Sequence, residues 1–281
     1  MRTQPTALAL PACQCLLLHH PGRTDLRREA RTAAVARVLR SLHETGAIPG
    51  WRDELYPVVD RFGGEPLMLV ERATAAYLGI KAYGVHVNGF VVHGDGRKQL
   101  WVARRSASKP TWPGMLDHIV AGGQPHGLSP LENVVKECME EASIPETLAR
   151  RAVPVGAVSY ECLGPRGVAR DCLFVYDLEL PADFVPQAQD GEVEEFFLMD
   201  LEEVSGARTQ VATGGGRAVP AAQIPRAVVP PQVAELVRTT TQYKPNCNLV
   251  VIDFLVRHGV ITPENPGYLD LVGALRSGSC C

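Results

Sequence analysis

Apolar residues recur along this 281-residue chain at two spacings, one typical of helices and one typical of strands. From Asp25 to Glu44 they return near every third or fourth position, which predicts a helix with one apolar stripe. A second helical pattern runs from Pro130 to Ala142, and a third from Leu249 to His258. The stripe of the first helix consists of Leu26, Ala30, Ala33, Ala34, Val38 and Leu42.

Short runs rich in β-branched and aromatic residues lie between these helical segments and predict strands. Two of the runs are joined by Gly94-Asp95-Gly96, a sequence typical of a hairpin turn. Helices and strands in one chain without internal repeats indicate an α/β architecture. The predicted strands are Leu67–Val70, Val85–Val92, Gln99–Ala103, Val153–Glu161, Cys172–Glu179 and Glu194–Met199.

Two stretches stand outside this pattern. Residues 1–24 contain two arginines and no acidic residue, so we expect a flexible tail, with an organellar transit segment as the alternative. Residues 205–231 lack acidic and aromatic side chains and are broken by glycine and proline runs, which predicts a disordered surface insertion. We therefore expect a small N-terminal domain at 25–81 and a larger domain at 82–281 that carries the insertion.

The composition narrows the range of functions. Hydrophobic residues make up 46% of the chain and charged residues 21%, as in ordinary globular proteins. A net charge of −3 lacks the basic excess that binding to a nucleic-acid backbone needs. No apolar run approaches the roughly 20 residues that span a bilayer. We expect a monomer or homodimer that binds neither nucleic acid nor membrane.

The eight cysteines are too thinly spread for a disulfide scaffold. None of them shows a spacing typical of a metal site, so we expect reduced thiols. This favours a cytoplasmic protein, unless residues 1–24 direct the chain to a chloroplast or mitochondrion.

The most informative stretch is GGQPHGLSPLENVVKECMEEASI at residues 122–144. A glycine-rich loop leads to Ser129, which can cap the following helix together with the acid three residues later. On this helix Glu137, Glu140 and Glu141 have i, i+3 and i+4 spacing, so their carboxylates share one face. Three like charges repel, and Mg²⁺ resolves the conflict because it prefers carboxylate oxygens and binds phosphates at the same time. The loop and helix together favour a metal–diphosphate site over a solvated acidic face.

This stretch resembles the Nudix box, whose common form is G-x5-E-x7-R-E-U-x-E-E-x-G-U, where U is a bulky aliphatic residue. Gly122 matches the first glycine of the box, and Ile144 matches its last aliphatic residue. Glu137, Glu140 and Glu141 match the glutamates that follow the arginine. The carboxylates of the signature are therefore intact from Glu137 onward.

Four positions depart from the common form of the box. Leu128 stands in place of its first glutamate, and Lys136 in place of its arginine. Cys138 fills an aliphatic position, and Ser143 replaces the glycine. Glu132 lies four residues before Lys136, which predicts a local ion pair between them.

Five further segments are similar to one Nudix subfamily, the hydrolases associated with fungal and plant thiamine pyrophosphokinases. The resemblance implies a Nudix fold, in which a mixed sheet is sandwiched between helices, preceded by a small α+β N-terminal domain. The segments are WRDELYPV at 51–58, ERATAAYLGI at 71–80, VHVNGFV at 85–91, KPTWPGMLDHIVAGG at 109–123 and YKPNCNLVVIDFLVRHG at 243–259.

The resemblance also implies an activity, the Mg²⁺-dependent hydrolysis of damaged thiamine diphosphates to the monophosphate and phosphate. Mn²⁺ is the alternative ion, and a small-molecule diphosphate is the expected partner. Glu140 and Glu141 are then metal ligands, Glu137 is a ligand or an orienting base, and Gly122 contributes a carbonyl. Two alternatives stay open: a Nudix hydrolase of nucleotide sugars or ADP-ribose-like diphosphates, and a Nudix-like binding module without turnover.

Six other residues are candidates for substrate binding. Two lie on a predicted strand that could line the pocket, two are basic and could meet phosphates, and two are aromatic and could stack on a ring. Their ordinary alternatives are polar groups within a sheet, solvated loop charges and core packing. They are, in that order, His86, Asn88, Arg104, Lys109, Trp112 and Tyr160. A second acidic run offers a distant base and consists of Asp190, Glu192, Glu194 and Glu195.

Overall fold

The computed structural model describes residues 24–109, 111–189, 191–201 and 242–278. Its N-terminal unit consists of helix α1 (Thr24–Glu44), strands β1 (Leu55–Val58) and β2 (Met68–Glu71), and the short helix α2 (Ala75–Leu78). Strands β1 and β2 pair antiparallel, and Leu39 of α1 packs with Val70 of β2 in a small core.

The remaining described elements surround one seven-stranded mixed sheet. Its strands are β3 (Lys81–Val92), β4 (Lys98–Arg105), β5 (Leu116–His118), β6 (Val120–Gly123), β7 (Val153–Gly164), β8 (Gly167–Glu179) and β9 (Val193–Asp200). Strand β3 is central, since it pairs antiparallel with β4 and β6 and parallel with β8. Strands β5 and β9 pair with β4, and β7 pairs with β8. The helices are α3 (Pro130–Ala142), α4 (Glu146–Ala149), α5 (Pro245–Arg257) and α6 (Tyr268–Ala274).

Side chains of β3 alternate between two faces of this sheet. Val85 is buried in a core that includes Val134 of α3. Phe90 instead packs against Phe254 of α5, with ring centres 5.7 Å apart. Because every second residue of a strand shares a face, His86 lies on the same side as Phe90. We call the two sides the α3 face and the α5 face.

The structure confirms the predicted fold class, a mixed sheet between helices with a separate N-terminal region. Helix α3 covers Pro130–Ala142, as predicted: the capping signals of its first turn fix its start, and Ser143 in the left-handed conformation ends it. Strand β3 begins at Lys81, four residues before the predicted Val85, because it pairs in parallel with β8 from Lys81 onward.

Helix α1 covers the predicted segment, but the predicted apolar stripe is wrong. Val38 is 61% exposed and Leu42 is 42% exposed, whereas Leu39 is buried. Thr32 lies on the packed side, where its hydroxyl accepts a hydrogen bond from the Leu69 backbone N–H at 3.0 Å. The other described members of the stripe are exposed as well: Ala30, Ala33 and Ala34. Alanines bury little area, so their spacing does not decide which side of a helix packs.

Residues 1–23 of the predicted tail and the whole predicted insertion at 205–231 lie outside the described residues. Among the helices that the structure describes, none combines the length and apolar character needed to cross a bilayer.

Candidate active site

Helix α3 carries the three glutamates and is fixed at both ends. At its start the Ser129 hydroxyl accepts the Glu132 backbone N–H, and the Glu132 carboxylate accepts the Ser129 N–H at 2.8 Å, which completes the predicted capping box. At its end Ser143 has a positive φ of 54°, a conformation that favours glycine. The Nudix box has glycine at this position, and here the Ser143 hydroxyl donates to the Gln187 carbonyl at 2.9 Å.

Glu137 lies directly over the glycine loop. A Cβ on Gly122 would stand 2.6 Å from Glu137 Oε1, so a side chain at this position would displace the carboxylate. One turn earlier, the Asn133 side chain donates to the Gly123 carbonyl at 2.7 Å. The loop and the helix are therefore held together as one unit.

Lys136 replaces the arginine of the box and contacts two carboxylates. Its Nζ lies 3.1 Å from Glu137 Oε1 and 2.8 Å from Glu140 Oε2. The predicted ion pair between Lys136 and Glu132 is wrong, because the Glu132 carboxylate is engaged by both the N–H and the hydroxyl of Ser129. The lysine instead neutralises part of the acidic face.

Glu141 takes a different direction from its two neighbours. Its Oε2 accepts the Ala121 backbone N–H at 2.9 Å. The three glutamates share a helix face, but their oxygens do not form a tight cage. Among the described residues, the side chains whose ligand atoms come within 4.8 Å of one another are instead His86, His118 and Cys247.

The acidic face is short of positive charge. Burial raises the pKa of Glu137, and the nearby Lys136 ammonium only partly opposes this. Burial also raises the pKa of Glu141 well above its ordinary value, and the negative charges of Glu137 and Asp117 add to the effect. A bound cation would lower both pKa values and stabilise the ionised carboxylates.

Two side chains of the N-terminal unit reach the glycine loop. A Cβ on Gly123 would overlap the Tyr56 hydroxyl and stand 3.0 Å from Arg72 Cζ. The Arg72 guanidinium donates to Glu54 Oε2 at 2.7 Å and lies 5.8 Å from the centre of the Tyr56 ring. Burial alone would lower the pKa of Arg72, but Tyr56, Glu54 and Glu137 raise it, so the group stays charged. The N-terminal unit thus places a fixed cation beside the acidic helix.

Tyr160 and Asp171 form a second polar group near this cation. They are opposite each other in the pairing of β7 with β8, and their side chains are hydrogen-bonded. Burial raises the pKa of Asp171, while the hydrogen bond from Tyr160 and the charges of Lys244 and Arg72 act against the rise. Tyr160, a predicted stacking residue, is therefore held in place by a polar contact.

Asp117 connects the acidic helix with the α5 face. Its Oδ2 accepts from Arg105 at 2.6 Å and lies 3.5 Å from Lys244 Nζ, while its Oδ1 accepts from Cys247 Sγ at 2.7 Å. Burial would raise the pKa of Asp117, but Lys244, the Cys247 thiol and Arg105 outweigh it and hold the pKa below its usual range. The resulting negative charge also acts on Glu141.

Several predicted substrate-binding residues contact protein groups in this structure. Asn88 donates to Asp177 Oδ1 at 3.0 Å on the α5 face. Arg104 pairs with Glu195 at 2.7 Å, and Lys109 pairs with a residue of the second acidic run, Glu192.

Trp112 and the second acidic run were also predicted positions. Trp112 is 48% exposed between β4 and β5. In the second acidic run, Glu194 is exposed, Asp190 lies outside the described residues, and Glu192 acts electrostatically on Glu141. His86, the last predicted residue, lies in the buried group with His118 and Cys247.

Five residues that contact or border the site were not predicted from the sequence: Tyr56, Arg72, Asp117, Lys244 and Cys247. Each of them lies inside one of the segments that carry the subfamily resemblance. Those segments are far apart in the chain and meet around the glycine loop. Their shared resemblance was therefore the one signal that could have identified these residues.

The fold and the site define a mixed α/β protein in which an acidic helix follows a glycine loop at the edge of the sheet. The chain belongs to the NUDIX domain family, whose model matches residues 82–222, half of the chain. Residues 17–82 match a second family, described as a domain of unknown function, DUF4743.

Three curated relatives are similar over most of this chain. Nudix hydrolase 24, chloroplastic, of Arabidopsis thaliana is 50% identical over 252 residues, which are 90% of this chain and 61% of the relative. Nudix hydrolase 20, chloroplastic, of the same plant is 50% identical over 252 residues, 90% of this chain and 59% of the relative. The uncharacterized protein YJR142W of Saccharomyces cerevisiae is 39% identical over 240 residues, 80% of this chain and 60% of the relative. The chain thus spans about three fifths of the length of these relatives.

Proposed function

We propose that this protein is a Mg²⁺-dependent Nudix diphosphatase that hydrolyses damaged thiamine diphosphate-type substrates to the monophosphate and phosphate. The observation that carries the hydrolytic part is the acidic face of α3, fixed over the glycine loop with Glu137 against Gly122. The substrate part rests on the resemblance of the surrounding segments to one Nudix subfamily.

The donor set of this face fits Mg²⁺. Glu137, Glu140 and Glu141 offer the carboxylate oxygens that Mg²⁺ prefers, and burial raises the pKa of Glu137 and Glu141, so both gain from a nearby cation. Lys136 holds Glu137 and Glu140 with one ammonium group, which marks the space between them as favourable for positive charge. Mg²⁺ commonly uses one or two carboxylates and completes its shell with water and phosphate, so a tight cage is not required.

When bound, the ion would neutralise charge on the diphosphate and lower the pKa of an attacking water. Glu140 and Glu141 are the proposed ligands, and Glu137 is a ligand or the group that orients the water. The Gly122 carbonyl is a further proposed ligand. Mn²⁺ can substitute because it accepts the same oxygen ligands.

Arg72 is the proposed contact for the terminal phosphate. Its side chain is 42% exposed, and its guanidinium is held by Glu54, lies over the Tyr56 ring and faces the same loop as Glu137. A guanidinium that is fixed before the substrate arrives loses little entropy on binding a phosphate. The N-terminal unit would therefore contribute directly to substrate binding.

Substrate discrimination is proposed to come from polar side chains beside the phosphate site. Damaged thiamine diphosphates differ from the intact coenzyme by a ring carbonyl in place of the cationic thiazolium or the amine. Hydrogen bonds to such a group discriminate strongly, whereas an apolar pocket gives only modest ratios. Tyr160, Asp171 and Lys244 supply polar groups of this kind near the site.

Lys136 favours one other candidate, a Nudix-like binding module without turnover. Its ammonium already engages two of the three glutamates, so it competes with a metal for them. In such a module the diphosphate would bind to the basic groups and would leave unchanged.

A substrate panel with and without Mg²⁺ tests both candidates. Purified protein is incubated with oxo- and oxythiamine diphosphate, thiamine diphosphate, ADP-ribose and a nucleoside triphosphate, and the products are separated by chromatography. We expect the highest kcat/KM for the oxidised thiamine diphosphates, and only with Mg²⁺. Preference for ADP-ribose would reject the proposed thiamine-type substrate but not the proposed Nudix hydrolysis. Binding of a diphosphate without any turnover would support the non-catalytic binding module.

We also propose an organellar location over a cytoplasmic one. The support is that both plant relatives are named chloroplastic. Imaging of the full chain as a fluorescent fusion tests this, and a purely cytoplasmic signal would reject it.

A further inference from the structure

Three side chains of a zinc-binding type meet inside the protein on the α5 face. His86 of β3, His118 of β5 and Cys247 of α5 each offer one ligand atom, and these atoms lie within 4.8 Å of one another. The two Nδ1 atoms of His86 and His118 are 3.1 Å apart. The three residues are only 3%, 4% and 0% exposed, respectively. We call them the His–Cys cluster.

Protein partners alone do not satisfy this cluster. Two imidazoles that face each other can share one N–H···N hydrogen bond, and Nε2 of His118 has no partner among the described residues. A buried polar atom without a partner costs about 1–3 kcal/mol, and a bound ion is one way in which native proteins avoid that cost.

We propose that the His–Cys cluster binds a divalent cation of borderline softness, with Zn²⁺ as the best fit. Two imidazoles and one thiolate are a ligand set that zinc prefers. A tetrahedral zinc site places such ligand atoms about 3.3–3.6 Å apart, so from a separation of at most 4.8 Å the cluster has to close by no more than about 1.5 Å. When the ion binds, the Cys247 thiol releases its proton to solvent and the thiolate forms the metal–sulfur bond. A single water enclosed with the ion completes the fourth position.

The groups around the cluster support ligands of this kind. Asp117 Oδ1 lies 2.7 Å from Cys247 Sγ and accepts the His118 backbone N–H at 2.9 Å, so one carboxylate positions two ligands. Lys244 Nζ lies 3.5 Å from the same Asp117 and places one positive charge beside the cluster.

The ion would have a structural role that does not depend on the proposed hydrolysis. It would connect the first turn of α5 with β3 and β5, three elements that are far apart in sequence. It would also be distinct from the Mg²⁺ of the acidic helix, because its nitrogen and sulfur ligands lie on the opposite face of the sheet and are closed to solvent.

Titration of the full chain with Co²⁺ tests the proposal. The protein is stripped with a chelator under reducing conditions, and Co²⁺ then reports thiolate ligation by a near-ultraviolet charge-transfer band and tetrahedral geometry by visible bands. We expect both bands to saturate at one equivalent, to disappear when Zn²⁺ is added and to persist in excess Mg²⁺. Cys247→Ser should abolish the charge-transfer band, and His86→Ala should weaken Co²⁺ binding by at least about tenfold.

The matched control is Cys172→Ser, the same change at another buried thiol, which should leave both bands unchanged. A charge-transfer band that is missing from the parent, or that persists in Cys247→Ser, would overturn the proposal. If Cys247→Ser fails to fold by circular dichroism, Cys247→Ala serves as the second variant. In the unmutated protein, Zn²⁺ should raise the melting temperature in the presence of excess Mg²⁺, and the absence of that further rise would also overturn the proposal.

Discussion

The two faces of the central sheet carry potential metal ligands of opposite character. On the α3 face the ligands are carboxylates, and the Glu140 side chain is 55% exposed. On the α5 face they are imidazoles and a thiol, and no member of the His–Cys cluster is more than 4% exposed. Glu137 is largely buried, but a set of oxygen ligands that includes one exposed carboxylate suits an ion that keeps waters and accepts a substrate, whereas fully buried nitrogen and sulfur ligands suit an ion that stays. The contrast agrees with the two proposals, a catalytic Mg²⁺ site on one face and a structural Zn²⁺ site on the other.

The faces are not electrically isolated, because Asp117 acts on both. It accepts a hydrogen bond from the Cys247 thiol, and its charge helps to raise the pKa of Glu141. A substitution on one face that alters metal binding or activity on the other would show that the two faces are not independent.

The largest expected effect is on turnover and comes from the α3 face. Glu140→Gln keeps the size of the side chain and removes the charge proposed to hold Mg²⁺. We expect kcat to fall by at least about a hundredfold, equivalent to roughly 2.7 kcal/mol, with folding intact. Steady-state assays measure this, and the Co²⁺ bands of the same variant should match the parent. Wild-type turnover in Glu140→Gln would place the reaction elsewhere.

The next effect is on stability and lies where the N-terminal unit meets the loop. Gly123→Ala would force its new methyl group into the Tyr56 hydroxyl, and overpacking of this kind costs about 1–3 kcal/mol. Thermal denaturation should show a lower melting temperature, and adding Tyr56→Phe should recover part of the loss. The control is Gly94→Ala, which adds its methyl group in open space. Equal melting temperatures for both glycine variants would mean that the two units do not touch here.

The pH dependence of stability should have opposite signs on the two faces of the metal-free protein. Burial lowers the pKa of His118 from 6.5 to about 4, so the unfolded chain binds more protons and stability falls as pH drops through this range. Burial raises the pKa of Glu141 above 4.5, so the folded chain binds more protons and stability falls as pH rises above 4.5.

Chemical denaturation in chelator, repeated across this pH range, separates the two effects. His118→Gln should reduce the loss on the acid side, to which His86 also contributes, and Glu141→Gln should reduce the loss on the alkaline side, to which Glu137 also contributes. Parallel pH profiles for the two variants and the parent would show that neither group is perturbed in the folded protein.

The smallest effect is expected at Arg104, whose ion pair with Glu195 is largely exposed. Arg104→Ala should change the free energy of unfolding by no more than about 0.5 kcal/mol, because surface pairs contribute little. Chemical denaturation measures this. A tenfold rise in KM in the same variant would instead support the phosphate contact that the sequence suggests.

Local signals made part of this molecule predictable. The start of α3 follows from Ser129 and the proline after it, which act within one turn, and the shared face of the three glutamates follows from helical spacing. The packed side of α1 could not be predicted in this way, because it depends on where the β1–β2 hairpin docks. The His–Cys cluster joins residues 86, 118 and 247, which share no local pattern and meet only when the sheet and α5 assemble.

The Tyr56 hydroxyl against Gly123 also has a consequence for how this chain can change by inheritance. A larger residue at 123 is tolerated only if 56 becomes smaller, so substitutions at the two positions should arise in pairs. Recombination that joined this Nudix domain to a foreign N-terminal unit would leave either a clash or a gap beside the glycine loop. The two family regions that meet at residue 82 are thus expected to be inherited together as one unit.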